Sequence, residues 1–282
     1  MKKLFFLFTV LNLCASAGHS YTLSGFQTPD SAQVDPEDGS CYVSNVNGAP
    51  SARDGNGYIS KISSSGNIII EKFIGGRPNE SILHAPKGLA VLGKRIYVAD
   101  IDTVKVFHKK SRQWLRTVDF RAFRPRFLND ITADTDGFLY VSDTLTNRIF
   151  KIDPRNNHQV TLFKKGAELG RPNGLLFNPK TRHLMVAAFQ KGQILEIDDS
   201  GNAHVLKRGI STPDGMALDA EGNLFVSSLE RGEVYRIPFF GRGELSIYLS
   251  GLNTPADISY DPAKKEMLIP SSRGQTVTSF LK

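Results

Sequence analysis

The sequence lacks most of the features that mark protein classes other than ordinary globular domains. Its 282 residues include two cysteines and one tryptophan. Only Cys41 lies outside the apolar N-terminal stretch, so a framework of internal disulfides is excluded once that stretch is removed. Beyond the N-terminus, no apolar run reaches the roughly 20 residues of a membrane-spanning helix. No proline- or serine-rich linker and no low-complexity segment divides the chain, which predicts a single domain.

Basic residues are in excess, but they do not form one continuous surface. The formal net charge is +7, and the lysines are scattered in short pairs such as Lys109-Lys110 and Lys164-Lys165. A nucleic-acid-binding surface needs a basic stripe interleaved with aromatic residues, and the sequence contains none. An ordinary solvated surface is the favoured interpretation. An anionic ligand or an anionic cell surface is the alternative.

The N-terminus has the pattern of a secretory signal peptide. A basic start (Lys2, Lys3) precedes the apolar stretch LFFLFTVLNL, and a small-residue site follows at Ala15-Ser16-Ala17. This pattern predicts a signal peptide over residues 1–17 and cleavage after Ala17. The mature protein is therefore expected to be exported, to the periplasm or outside the cell, as one domain over residues 18–282.

One phrase recurs along the chain and sets the fold. Its clearest copy is TPDGMALDAEGNLFVSS at 212–228: a Pro-Asp-Gly turn, a short apolar strand, a Glu-Gly-Asn turn and a second strand. Six copies occur, starting at residues 29, 85, 127, 171, 212 and 255. A period of about 40 residues, with more strand-like sequence after each hairpin, is typical of propeller blades. The sequence therefore predicts an all-β, six-bladed β-propeller with four antiparallel strands per blade. Its first and last strands are expected to share a blade.

Each copy has a proline or an equivalent residue near its start, and we use the residue that follows it as the marker of that copy. The six markers are Asp30, Lys87, Asn129, Asn173, Asp214 and Ala256. Because innermost strands line the central channel, the markers are expected to ring one mouth of it. Four of them offer carboxylate or amide oxygens, which suit calcium. None is histidine, which argues against a transition metal. Asn-Gly and Asp-Gly pairs are also common turn formers, and this is the competing explanation for each marker alone.

The phrases FLNDITAD, RPNGLLF and TPDGMALDAEGNLFV resemble the family of regucalcin, gluconolactonase and the luciferin-regenerating enzyme. More distantly, they resemble paraoxonases and propellers with NHL repeats. The resemblance implies a six-bladed fold, a divalent cation in the channel, usually calcium, and hydrolysis of lactones or related esters. It implies metal ligation by Asn173 and Asp214, a metal or substrate contact by Asn129, and a general-base role for Asp214. The family has a glutamate in blade one where this sequence has Asp30, which still ligates calcium.

Four further residues are assigned to the substrate. They are Lys87, Arg126, Asp130 and Arg171. Lys87 is expected to hold an anionic substrate group, to compete with the metal, or to point to solvent. Arg126 and Arg171 shortly precede two markers, so they are expected to bind an acidic or hydroxylated substrate or to form surface ion pairs.

Two hypotheses about function follow from the sequence. In the first, the protein is a monomeric, metal-dependent hydrolase of lactones or small esters, in which the cation polarises the carbonyl and Asp214 is the base. In the second, it is a non-catalytic exported propeller that binds protein or glycan, because propellers host many functions. Metal analysis and a lactone and ester panel distinguish the two hypotheses.

Overall fold

The computed structural model describes residues 18–76 and 82–282. The predicted signal peptide, residues 1–17, lies outside this described part. The chain forms six sheets of four antiparallel strands. The first three are blade one, with β2 (Pro29–Val34), β3 (Cys41–Asn45), β4 (Tyr58–Ile62) and β5 (Ile68–Gly75); blade two, with β6 (Pro86–Leu92), β7 (Arg95–Asp100), β8 (Thr103–His108) and β9 (Trp114–Val118); and blade three, with β10 (Leu128–Ala133), β11 (Leu139–Asp143), β12 (Arg148–Asp153) and β13 (Gln159–Lys165).

The last three blades repeat the pattern, and the final one closes the ring. They are blade four, with β14 (Pro172–Asn178), β15 (His183–Ala188), β16 (Gln193–Ile197) and β17 (Ala203–Arg208); blade five, with β18 (Pro213–Leu218), β19 (Leu224–Ser228), β20 (Glu233–Ile237) and β21 (Ser246–Leu249); and blade six, with β22 (Ser259–Asp261), β23 (Glu266–Ser271), β24 (Thr276–Leu281) and β1 (Gly18–Ser24). The N-terminal strand β1 pairs with the C-terminal β24, as the sequence predicted.

Among residues 18–76 and 82–282, helical structure is limited to short connections. Three 3-10 turns span Thr144–Thr146, Ala167–Leu169 and Phe189–Lys191, and α1 (Pro238–Gly241) follows β20. Within α1, Phe239 and Phe240 have positive φ angles of 55° and 54°. The helical segment is thus a tight left-handed connection and not a regular helix.

Among the described residues, the hydrophobic core has six large clusters, one in each gap between neighbouring blades, and a small seventh cluster of Val46, Ala85 and Ile101. The strand residues alternate, so that each blade contributes apolar side chains to both of its neighbours. Cys41 lies in the cluster between blades six and one and is 2% exposed. Burial raises the pKa of its thiol, so Cys41 is a packing residue.

The start of the repeat phrase is strand and not turn. Pro213, Asp214 and Gly215 are the first residues of β18, which corrects the turn predicted there. The pairing with β19 slips between Pro213 and Met216, which leaves Asp214 and Gly215 in a β-bulge. The innermost strands of blades one to four open with the same irregularity. Bulges re-aim side chains, so in these five blades the second residue of the innermost strand is released from the regular alternation of the strand at the start of that strand.

A buried histidine joins blades two and three and gives the fold a pH dependence. His158 is 7% exposed, its Nε2 lies 3.3 Å from the Tyr97 hydroxyl, and its Nδ1 lies 3.1 Å from Nη1 of Arg116. Burial first, and then Arg116 and Arg95, lower its pKa to about 4. The imidazole is therefore held neutral in the folded chain at a pH where the unfolded chain protonates it.

We expect this histidine to destabilise the protein on acidification. As pH falls from about 6.5 to 4, the unfolded state binds a proton that the folded state does not, so the free energy of unfolding should drop by about 2 kcal/mol from this group. Urea unfolding at pH 7 and pH 4.5 measures the drop. His158→Gln keeps a polar side chain and should lack this part of the pH dependence. Equal drops in the variant and the natural protein would contradict the assignment.

Candidate functional site

Three of the predicted ring residues form one hydrogen-bonded line across neighbouring blades. Asn129 donates through Nδ2 to Oδ1 of Asn173 at 2.7 Å, and Asn173 donates through Nδ2 to Oδ2 of Asp214 at 3.0 Å. Asn129 also lies 3.2 Å from the Thr144 hydroxyl. All three ring residues are buried. Their amide and carboxylate groups are thus held in place before any ligand arrives.

Serines at the same position of the second strand in blades three and five hold the bulges that carry Asp130 and Gly215. Ser142 Oγ accepts from the Asp130 amide at 2.9 Å and donates to the Asn173 carbonyl of the next blade at 2.8 Å. Ser227 makes the same pair of bonds, to the Gly215 amide and the Ala256 carbonyl. Each serine therefore fixes the bulge of its own blade against the first residues of the next blade around the ring.

Four aspartates face the channel, and their surroundings oppose ionisation. They are Asp30, Asp130, Asp214 and Asp257. Burial raises the pKa of Asp30 to about 6, although Lys87 pulls it down, and raises that of Asp130 to about 7. Burial also raises the pKa of Asp214 and Asp257 well above the usual range, and repulsion from the other channel carboxylates adds to it. The channel therefore has an excess of negative charge when these groups are ionised.

Two of the four aspartates, Asp130 and Asp257, each follow a marker residue in the sequence. They lie farther along the channel than the ring of markers. Asp130 accepts from the Ile131 and Leu175 amides at 2.7 and 2.6 Å, and Asp257 accepts from the Ser31 hydroxyl at 2.6 Å. Both line a cavity of about 160 Å³. The proposed substrate contact of Asp130 stays a prediction, because its carboxylate bridges blades three and four. Sequence reasoning missed Asp257, because it followed the marker Ala256.

Lys87 is buried at the rim of the mouth. It is 1% exposed, and its Nζ donates to the carbonyls of Pro50 and Ala85 at 2.8 and 3.0 Å. The ammonium also lies 4.4 Å from the centroid of the Phe127 ring. Burial lowers its pKa, while Asp30 and Asp100 oppose that change. Of the three outcomes expected from the sequence, this burial excludes the solvent-facing lysine, whereas the contact with an anionic substrate group and the competition with the metal stay predictions. The Lys87 side chain fastens the blade-one loop over the site and brings positive charge near Asp30.

Replacing this lysine by methionine should loosen the loop and strengthen cation binding. Lys87→Met keeps the apolar stem, but it removes the donor to Pro50 and the charge near Asp30. We expect faster proteolysis between residues 48 and 57. We also expect calcium affinity to rise about five-fold, the equivalent of roughly 1 kcal/mol. Limited proteolysis and titration calorimetry measure the two effects. Lys110→Met, at an exposed position, is the matched control, and identical behaviour of the two variants would contradict the placement.

The two predicted substrate arginines lie at the mouth with their side chains exposed. The amide of Arg126 lies 3.2 and 3.3 Å from the two carboxylate oxygens of Asp143, and the Arg171 amide donates to Oδ1 of Asn147 at 2.7 Å. Within residues 18–76 and 82–282, neither guanidinium has an ion-pair or hydrogen-bond partner. Of the two outcomes expected from the sequence, the structure therefore disfavours the surface ion pair. Substrate binding by these arginines stays a prediction.

The donor chemistry of the ring fits a calcium ion. Asp30 and Asp214 carry hard oxygens, and repulsion from Asp30 is the largest charge effect that raises the pKa of Asp214. A divalent cation would offset this repulsion. In the described part of the chain, no three carboxylate, histidine or cysteine groups are arranged to hold a metal on their own. The amide oxygens of Asn129 and Asn173 are therefore needed to complete a site. Asn173 would have to exchange its bond to Asn129 for the ion.

Comparison with known families gives one clear match. A model described as the SMP-30/Gluconolactonase/LRE-like region matches residues 76–250, more than half of the chain. The matched span contains Lys87, Asn129, Asn173 and Asp214, whereas Asp30 lies before it. None of the curated proteins matches the chain in sequence.

Several solved structures share the fold. A catalytically inactive virginiamycin B lyase from Staphylococcus aureus with quinupristin is 14% identical, with a TM-score of 0.64 over 93% of this chain and 98% of the lyase. A proposed gluconolactonase from a structural genomics consortium is 16% identical, with a TM-score of 0.71 over 95% and 92% of the two chains. An auxiliary nutrient binding protein from Bacteroides thetaiotaomicron is 9% identical, with a TM-score of 0.70 over 91% and 69%. At these identities the likeness concerns the fold alone. Among the described residues, no helix is long and apolar enough to cross a membrane.

Proposed function

Because the chain belongs to the SMP-30/gluconolactonase/LRE-like family, we propose that it is an exported, calcium-dependent hydrolase of lactones or small esters. The observation that supports this most directly is the hydrogen-bonded line from Asn129 through Asn173 to Asp214 at one mouth of the channel. This line joins the three marker residues for which the resemblance implies a role. Asp30, Asn129, Asn173 and Asp214 would hold the ion, and the bound ion would polarise the substrate carbonyl as a Lewis acid.

Asp214 is the group placed to move a proton. Burial and neighbouring carboxylates raise its pKa, so its carboxylate is a stronger base than an ordinary aspartate. Asn173 Nδ2 donates to one of its oxygens, Oδ2. Among the side chains of the described residues, the other oxygen has no hydrogen-bond partner and is available to take a proton from the attacking water. Asn173 thereby orients the base and does not itself transfer a proton.

The rim residues would bind the rest of the substrate. Arg126 and Arg171 offer guanidinium donors that have no partner among the described residues, and such donors suit hydroxyl or carboxylate groups. Lys87 braces the loop that covers one side of the mouth. This arrangement favours a small substrate that enters from the mouth and carries polar groups beside its ester bond.

The test is a panel of lactones and aryl esters assayed with EDTA and then with calcium restored. We expect turnover of at least one lactone, its loss in EDTA, and its recovery with calcium but not with magnesium, which requires a smaller octahedral site. Elemental analysis of the purified protein runs in parallel. A metal-free protein without activity on the panel would instead favour a non-catalytic binding propeller.

A further inference from the structure

A concave surface lies on the face opposite the channel mouth, at the far ends of the innermost strands of blades four, five and six. This far-face groove has a volume of about 530 Å³ and lies among the turns that follow β14, β18 and β22. Most of its lining is apolar and open to solvent. The apolar residues, each exposed or half-buried, are Pro179, Leu218, Ala220, Phe240, Tyr260 and Pro262. Continuous apolar surfaces of this kind mark interaction sites.

An aromatic side chain protrudes beside this groove. The connection between β20 and β21, residues 238–245, contains Phe239, and the next residue, Phe240, lines the groove. Phe239 is 74% exposed, more than any other large apolar side chain of the described residues. The second most exposed is Ile247 of β21, in the same blade, at 57%. Blade five thus has a projecting phenylalanine next to a hollow that could receive one.

The connection that carries Phe239 is fastened to the body of the protein. Phe239 and Phe240 both have left-handed backbone angles, which are unfavourable for residues other than glycine. Three contacts hold this conformation: the Phe240 amide donates to the Gly222 carbonyl (2.7 Å), Lys207 Nζ donates to the Gly243 carbonyl (2.6 Å), and Arg242 Nη2 donates to both carboxylate oxygens of Glu196 (2.8 and 3.0 Å). Phe239 is therefore presented from a fixed backbone, which limits the entropy lost on binding.

The charges on this face are complementary to one another. Glu244 lies in the same connection as Phe239, and Lys180 lies at the edge of the groove; both are exposed. Neither side chain has an ion-pair or hydrogen-bond partner among the described residues. The other charged residue of the groove, Asp219, is paired with Lys282 at 2.6 Å. The projecting segment thus carries an unpaired negative charge, and the groove carries an unpaired positive one.

A face that has both a projection and a matching hollow is suited to a second copy of itself. In a two-fold symmetric contact each copy contributes the same patch, so both projections and both hollows are used at once. The groove lies at the opposite ends of the innermost strands from the ring of Asn129, Asn173 and Asp214. Two copies joined here would therefore leave both channel mouths open.

We propose that the protein forms a two-fold symmetric dimer through this far face, in which Phe239 of each copy fills the groove of the other and Glu244 pairs with Lys180 across the interface. The dimer departs from the monomer expected from the sequence, because the repeat does not describe the connection that places Phe239 beside the groove. It does not depend on the proposed hydrolase function.

The first experiment is sedimentation velocity from about 1 to 200 µM protein, a range that covers micromolar dimers. We expect the dimer to form within this range. Phe239→Asn should raise the dimer Kd at least about 30-fold, the scale of an aromatic hot spot. Asparagine tolerates the left-handed angles, so the melting temperature of the diluted monomer should not fall. Leu162→Thr, at a side chain that is 45% exposed on β13 of blade three, is the control and should leave the Kd unaltered.

The second experiment exchanges the charges. Lys180→Glu alone and Glu244→Lys alone each place like charges across both symmetric pairs, so each should raise the Kd about ten-fold. The double variant restores opposite charges and should return the Kd to within a few-fold of the natural protein. A monomer at all concentrations would overturn the proposal and leave the groove to a different partner. A dimer that is indifferent to Phe239→Asn, or a double variant no tighter than the single ones, would overturn this interface.

Discussion

Asp214→Asn should lower kcat/KM for any hydrolysed lactone by about 10³-fold, the usual scale for removing a general base. The asparagine has nearly the same shape, and its Oδ1 can still accept from Asn173. The change therefore removes the charge and the proton acceptor and leaves the packing intact. The same substitution should abolish most of the rise in melting temperature with calcium. The melting temperature rises because calcium binds only the native state. At a calcium concentration a hundred-fold above Kd, this binding adds about 3 kcal/mol to the free energy of unfolding.

Asp257→Asn is the control for the loss of a channel charge alone. Asp257 repels Asp214 electrostatically, but the repeat does not place it at a ring position, and its Oδ2 is bonded to Ser31. We expect this variant to keep its activity within a few-fold and to keep the calcium-dependent shift. If Asp214→Asn kept the shift and Asp257→Asn lost it, the ion would lie deeper in the channel than proposed.

The architecture could be predicted from the sequence because the repeat carries two independent signals. Its period gives the blade, and the Gly-containing turn gives the hairpin; Gly222 in Glu221-Gly222-Asn223 does have a positive φ of 80°. The proximity of Asn129, Asn173 and Asp214 could be predicted because they occupy the same position in three repeats, and residues at one repeat position occupy one level of a closed ring. The shared last blade followed from the same symmetry.

The features that could not be predicted from the sequence depend on contacts between blades. The sequence places Lys87 at the mouth but does not predict its bonds to the carbonyls of Pro50 and Ala85, because these carbonyls are brought to it only when the blade-one loop folds back. Asp257 follows an alanine marker, so its approach to Ser31 of blade one appears only when the ring closes.

The glycines of the repeat show the same limit. In the phrases Pro-Asn-Gly and Pro-Asp-Gly, the glycine looks like a turn former. Gly174 and Gly215, however, do not have the positive φ that a turn would require. A Cβ on Gly174 would lie 2.0 Å from the Asp214 carbonyl oxygen, and one on Gly215 would lie 2.4 Å from the Asp257 Cα. The missing side chain lets the innermost strands of adjacent blades approach each other.

Gly174→Ala should therefore destabilise the protein by about 3 kcal/mol or more, at the upper end of overpacking in a tight core. The obstructing atom is backbone, so no flexible side chain can swing away to relieve the contact. Because the contact lies between ring residues Asn173 and Asp214, a variant that still folds should also have their hydrogen bond stretched and bind calcium more weakly. Urea unfolding and calorimetry measure the two effects.

Gly93→Ala is the matched control for this substitution. Gly93 has a positive φ of 56°, and a Cβ there would meet nothing within 4 Å. Alanine at Gly93 pays only for its left-handed backbone, about 1 kcal/mol, whereas alanine at Gly174 must push two blades apart. We expect the Gly93 variant to unfold at a slightly lower urea concentration with calcium binding unchanged. Equal destabilisation of the two variants would mean that the innermost strands of blades four and five do not pack as closely as described, and the spacing of the ring residues would then have to be revised.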